Sequence, residues 1–192
     1  MKRLSLSAAL LTFGLLGCGS PEPAEDAAPA SPAPAGQEAG AAAGASTGSA
    51  VAQLQTADGV AAGSATATAA DGGVMIALRV QGLPPGVHGV HVHTTGRCDP
   101  PTFETAGGHW NPTNATHGLE EPPGQHAGDM PNLTVAQDGT GTLEYSLVGA
   151  TFEGLLDADG SAFVVHAGED DQRTDPSGNS GDRIACGVFA RG

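Results

Sequence analysis

At 192 residues the chain has room for one folded domain and a tail, not for two full domains. With one Trp, one Tyr and five Phe, any core must be built mainly from Val, Leu, Ile and Ala. The 21 acidic side chains outweigh seven cationic ones to give −14, and −16 beyond a leader that holds Lys2 and Arg3, which argues against nucleic acid as a partner.

The leader comes first. Lys2 and Arg3 precede the apolar run "LSAALLTFGLL", which closes on "LLGC". The run is shorter than the ~20 residues a membrane helix needs. With a small residue before cysteine, it reads as a secretory signal over residues 1–17. "LLGCGS" resembles the lipobox of bacterial lipoproteins. That implies cleavage before Cys18, lipid attachment there, and a membrane-anchored chain on the periplasmic side of a bacterial envelope. The alternative is an ordinary cleaved signal with an incidental cysteine. Residues 18–49 are rich in Pro, Ala, Gly and acids and have no apolar period, which predicts a disordered tether. Five prolines between Pro21 and Pro34 argue against an alanine-rich helix.

From residue 50 to 192 the pattern changes. "AVAQLQ", "ATATA", "VMIALRV", "HGVHVH", "LTVAQ", "TLEYSLV", "AFVVHA" and "IACGVFA" are short, often alternating and rich in β-branched residues. Asp-Gly pairs at Asp58, Asp71, Asp138 and Asp159 fall between these runs as hairpin signals. No stretch carries a capped helical period, so the domain is expected to be all-β, a sandwich or barrel. Two long segments, about 94–131 and 168–182, exceed the about 12–15 residues usual for a loop and are expected to be ordered and functional.

Side chains alternate across a strand, so His91 and His93 share a face while Val90 and Val92 turn to the core. His88 has the opposite parity and is expected to be buried and hydrogen-bonded to backbone. Further candidate donors are His109, His117, His126, Asp129 and His166, with "HAGD" holding His126 and Asp129 around one turn. Six histidines and one aspartate are one donor short of two four-coordinate ions, a gap that one imidazole using both ring nitrogens closes. Nitrogen-rich tetragonal donors suit copper and a closed His/Asp tetrahedron suits zinc. Composition does not say which donor is shared.

These residues resemble the copper–zinc superoxide dismutases, in the bacterial exported lipoprotein form. "GVHGVHVH", "GGHWNP", "THG", "HAGDM", "VVHAGEDD" and "GNSGDRIACGV" match that family's motifs in order and spacing from about residue 50 onward. The resemblance implies an eight-stranded Greek-key β-barrel with two long functional loops. It implies copper on His91, His93, His109 and His166, and zinc on His109, His117, His126 and Asp129, with His109 bridging as a catalytic group. Asp170 would orient one ligand of each metal. Cys98 and Cys186 would form a disulfide, as expected of two cysteines in an exported domain.

Arg183 would hold the incoming superoxide at the copper channel; its bland role is a surface salt bridge with Asp182. The second loop has no lysine, and Arg173 is its only other cation, which predicts weaker electrostatic steering. The implied activity is disproportionation of superoxide. The rival is a non-catalytic copper or zinc carrier on the same fold. Bacterial members occur as monomers and dimers, and no stripe in the sequence decides whether this chain forms a homodimer.

Overall fold

Alternating runs of small and branched side chains curl into one large antiparallel sheet and a small second one. The computed structural model describes residues 48–120 and 124–192. The leader, Cys18 and nearly all of the tether lie outside them. The strands are β1 (Ser49–Thr56), β2 (Ala61–Ala70), β3 (Gly73–Val80), β4 (Gly86–His88), β5 (Val90–His93), β6 (Leu133–Val135), β7 (Gly141–Leu147), β8 (Ala162–His166) and β9 (Arg183–Arg191). Seven of them form one sheet in the order β5-β8-β9-β1-β2-β3-β7, and β4 pairs with β6. Every pairing is antiparallel. The skipped connections from β3 to β7 and from β5 to β8 are those of a Greek key.

One inner face makes the core. Ala50, Ala52 and Leu54 of β1, Val74, Ile76 and Leu78 of β3, and Phe163 and Val165 of β8 are all buried at alternate positions. Small alanines on β1 and β2 sit with large side chains elsewhere, and Phe163 meets Phe189 edge to face at 6.4 Å. β8 and β5 depart from alternation because both their faces are covered. On β8 the outer residues Ala162 and Val164 join Cys186, Phe103 and Ala106 in a second apolar cluster. That cluster lies under the segment following β5.

Three sequence expectations change in detail. "HGVHVH" is two strands, not one, broken at Gly89, which gives nine strand segments among the described residues. A side chain at residue 89 would put its Cβ 2.8 Å from Ser180 and 3.1 Å from Asp170, and the main chain there is committed to Gly168 and His166. Asp159-Gly160 does not join two paired strands. It follows a one-turn helix α1 (Phe152–Leu155), capped by Thr151, and leads into β8, which is no neighbour of β7. A helix of one turn carries no period for sequence to reveal. The other three Asp-Gly pairs turn β1 into β2, β2 into β3 and β6 into β7.

Cys98 and Cys186 are disulfide-bonded across 88 positions, tying the segment after β5 to β9. Closing a loop of that length in the unfolded chain predicts a loss of about 4–5 kcal/mol when both are replaced by serine. A thermal melt of that double variant should fall by roughly 10–20 °C. A shift of no more than two or three degrees would mean that packing alone holds the loop.

Candidate metal centre

β5 is the floor of the site. With Val90 and Val92 in the barrel core, His91 and His93 are forced to the outer face, where two passes of the 94–131 segment cover them. The Trp110 amide donates to Val92 O at 2.8 Å, the Val92 amide to Gly128 O at 3.0 Å, and the Gly128 amide to Trp110 O at 2.9 Å. Residue 128 must be glycine, because a Cβ there would lie 2.2 Å from Val92 O. This zipper sets Asp129 opposite His91 and His109 opposite His93. At the other edge a register shift at the end of β8 leaves His166 facing Arg183 of β9.

Two four-donor groups result. One donor atom from each of His91, His93, His109 and His166 falls within 4.8 Å of the others, as do those of His109, His117, His126 and Asp129. His109 belongs to both. Its Nδ1 is 3.0 Å from Asp129 Oδ1 and 3.5 Å from His126 Nδ1. Its Nε2 is buried, with no hydrogen-bond partner among the described residues. His117 Nδ1 and His126 Nδ1 lie 3.0 and 3.3 Å from the same Asp129 oxygen. The amides of Gly118 and His126 donate to the other oxygen, which turns Oδ1 inward.

Outer partners decide which nitrogen of each ring is free. His93 Nδ1–H donates to Gly107 O at 2.8 Å and His166 Nδ1–H to Gly181 O at 3.1 Å. Their Nε2 atoms therefore face each other, 3.4 Å apart, as bare acceptors. Asp170 does the same for both groups at once. Its Oδ2 accepts His91 Nε2–H at 2.6 Å and its Oδ1 accepts His117 Nε2–H at 3.0 Å. That leaves His91 Nδ1 buried and unpartnered. Buried acceptors aimed at acceptors need a cation between them, and this donor chemistry fits copper and zinc.

The electrostatics agree. Burial, followed by repulsion from His109, lowers His91 to about 3, and burial likewise lowers His166 to about 4 and His93 well below its ordinary value. Burial also lowers His109, against the pull of Asp129. These imidazoles stay neutral, the form that ligates. Burial would lower His117 as well, but Asp129 and Asp170 hold it up at about 9. Burial would raise the Asp129 and Asp170 carboxyls, yet hydrogen bonds from the surrounding histidines keep both well below the usual range. Two buried carboxylates thus demand positive charge on the His117 side.

A cavity of about 410 Å³ opens onto this arrangement, lined by His93, His109, His126, His166, Arg183 and residues of the second loop. Arg183 makes no ion pair with Asp182. Its two terminal nitrogens donate to Phe103 O and Gly107 O, both at 2.7 Å. The Gly107 carbonyl thereby sets His93 and Arg183 together. Two of five guanidinium N–H groups are spent, leaving donors for an anion. Arg173 is ion-paired with Glu120. His88 is hydrogen-bonded to backbone, at His166 O and Pro84 O, and belongs to neither group of donors.

Of the acids 169–171, Glu169 and Asp171 are exposed and Asp170 is buried between the two histidines. Sequence reasoning missed what holds Asp170. Asn132 clamps its main chain from both sides, donating to Asp170 O at 2.8 Å and accepting from Asp170 N at 2.9 Å. The Gln172 amide donates to its Oδ1. The carbonyls of Phe103, Gly107 and Gly181 carry no side-chain signal and were not readable.

A Greek-key barrel whose loops gather two buried four-donor sets around one shared imidazole defines a binuclear metalloprotein. The family model described as copper/zinc superoxide dismutase (SODC) matches residues 61–189. A superoxide dismutase (Cu-Zn) of Caulobacter vibrioides is 45% identical over 148 residues, 73% of this chain and 85% of that protein. The crystal structure of a SOD-like protein from Bacillus subtilis is 41% identical with a TM-score of 0.69, covering 73% of this chain and 97% of that one. The Cu/Zn superoxide dismutase of Brucella abortus is 28% identical with a TM-score of 0.63, covering 74% and 99%. The chain belongs to the copper/zinc superoxide dismutase family.

Proposed function

We propose that this protein is an enzyme that disproportionates superoxide, 2 O2⁻ + 2 H⁺ → O2 + H2O2. The observation that carries this reading is His109, one ring whose two nitrogens face two different donor sets. His91, His93, His109 and His166 would hold copper; His109, His117, His126 and Asp129 would hold zinc. Copper supplies a one-electron couple that can take from one superoxide and give to the next, while zinc supplies a fixed charge.

The chain's own residues do the rest. Arg183, braced by two carbonyls, offers its remaining N–H groups to a small anion at the cavity wall. His109 Nε2 is the atom that can take a proton beside the reacting oxygen and return it, because Nδ1 is held on the Asp129 side. Asp170 keeps His91 and His117 in the ligating tautomer. The protein loaded with both metals should consume superoxide in a salt-dependent manner, and metal analysis should give one copper and one zinc per chain. Stoichiometric metal without turnover would leave a carrier instead.

The same reading places the domain on an exported chain anchored in a membrane through a lipid at Cys18. The basic start, the short apolar run and "LLGC" support it. Radiolabelled fatty acid should enter the wild-type chain and not a Cys18→Ala variant. Sedimentation of the purified protein tests whether a homodimer forms.

A further inference from the structure

The cavity that would receive superoxide has, among the described residues lining it, one cationic side chain and one acidic one. The cation is Arg183. The acid is Asp175, carried on the second loop beside Pro176 and Ser177. Its position is built: Oδ1 accepts the His117 main-chain N–H at 2.8 Å and stands 3.7 Å from His126 Nε2. The side chain is nonetheless 59% exposed, so its charge faces the space an anion must cross. The other loop cation, Arg173, is engaged with Glu120 and does not line the cavity.

An acid in the path of an anionic substrate opposes capture, yet a neutral residue could serve His117 equally well. An amide oxygen accepts the same hydrogen bond. Beyond its pull on His126 Nε2 at 3.7 Å, the charge adds discrimination by valence. Repulsion scales with the charge of the visitor, so one carboxylate penalises a dianion twice as much in free energy as a monoanion. Arg183, with donors to spare, would otherwise attract a divalent oxyanion more strongly than superoxide.

We infer that Asp175 is a charge filter: it admits the monoanion to Arg183 at a modest cost in rate and disfavours multiply charged oxyanions such as phosphate. This rests on the reading of Arg183 as the anion anchor. It makes Asp175 a specificity residue of the channel and a positioning residue for the main chain of His117.

Asp175→Asn removes the charge and keeps the acceptor. In the copper- and zinc-loaded protein at low ionic strength, azide affinity, read from its absorption band, should rise about twofold, and phosphate competition against azide about fourfold. Superoxide turnover at low substrate should rise about twofold, and all three differences should close in high salt, where the Debye length shrinks to about 3 Å. Asp175→Ser should behave likewise. Glu144→Gln, which removes the same charge from β7 away from the cavity wall, should leave the phosphate-to-azide ratio unchanged.

Equal changes for azide and phosphate, no change, or the same shift from Glu144→Gln would overturn the filter. Loss of metal from both Asp175 variants would overturn it too, leaving only a structural role. If wild type bound azide and phosphate as described but consumed no superoxide, the enzymatic reading would fail while the filter stood.

Discussion

A His91→Ala variant should lose superoxide turnover by about three orders of magnitude or more, the scale of a lost metal-supplied term of several kcal/mol. His91 is fully buried and offers Nδ1 to the first donor set while its Nε2–H is bound by Asp170. Alanine leaves three donors there and strips Asp170 Oδ2 of its partner. The second donor set, His109, His117, His126 and Asp129, does not include His91. Copper should therefore be lost and zinc retained, with a cooperative melt preserved. Metal analysis, a superoxide assay and circular dichroism check this together. A folded variant that kept its turnover would sink the assignment of copper to this set.

Asp170→Asn should weaken the metal of the first donor set by about 10–100-fold in affinity and leave that of the second nearly as tight. The carboxylate accepts from His91 on one oxygen and from His117 on the other, and accepts the Gln172 amide as well. An asparagine can accept on one side only. Its NH2 would confront the N–H of whichever histidine it faced, forcing that ring to move its proton to Nδ1, the nitrogen that ligates. The Gln172 amide and His117 both need an acceptor at Oδ1, so the NH2 takes the place of Oδ2, faces His91, and the first set suffers. The Asn132 clamp on the main chain is untouched, so the fold should persist. Chelator competition for each metal checks this; unchanged affinity at the first set, or loss confined to the second, would show that Asp170 does not orient His91.

Much of the site was legible because its chemistry is written in side chains. "HVH" on a strand has only one geometry, and period-two alternation puts two imidazoles on one face whatever surrounds them. The parity of His88, the donors in "HAGD" and the turns at Asp58, Asp71 and Asp138 are equally local. Gly89 was not legible as a break, because the reason for it is the approach of Ser180 and Asp170 from 80 or more positions away. Arg183 also misleads locally: Asp182 beside it suggests an ion pair, whereas carbonyls of the segment after β5 take its donors.

The amino-acid order alone thus determined the all-β class, the face on which each strand histidine stands and the inventory of donors. Only the tertiary structure decided which nitrogen of each ring is free, how Asn132 and Gln172 hold Asp170 between both donor sets, and that Asp175 shares a cavity with Arg183. Donor identity and strand parity are properties of short segments. A tautomer, an outer partner or a cavity wall depends on groups from distant loops, and those meet only when the barrel closes and the disulfide and the zipper along β5 bring the segments together.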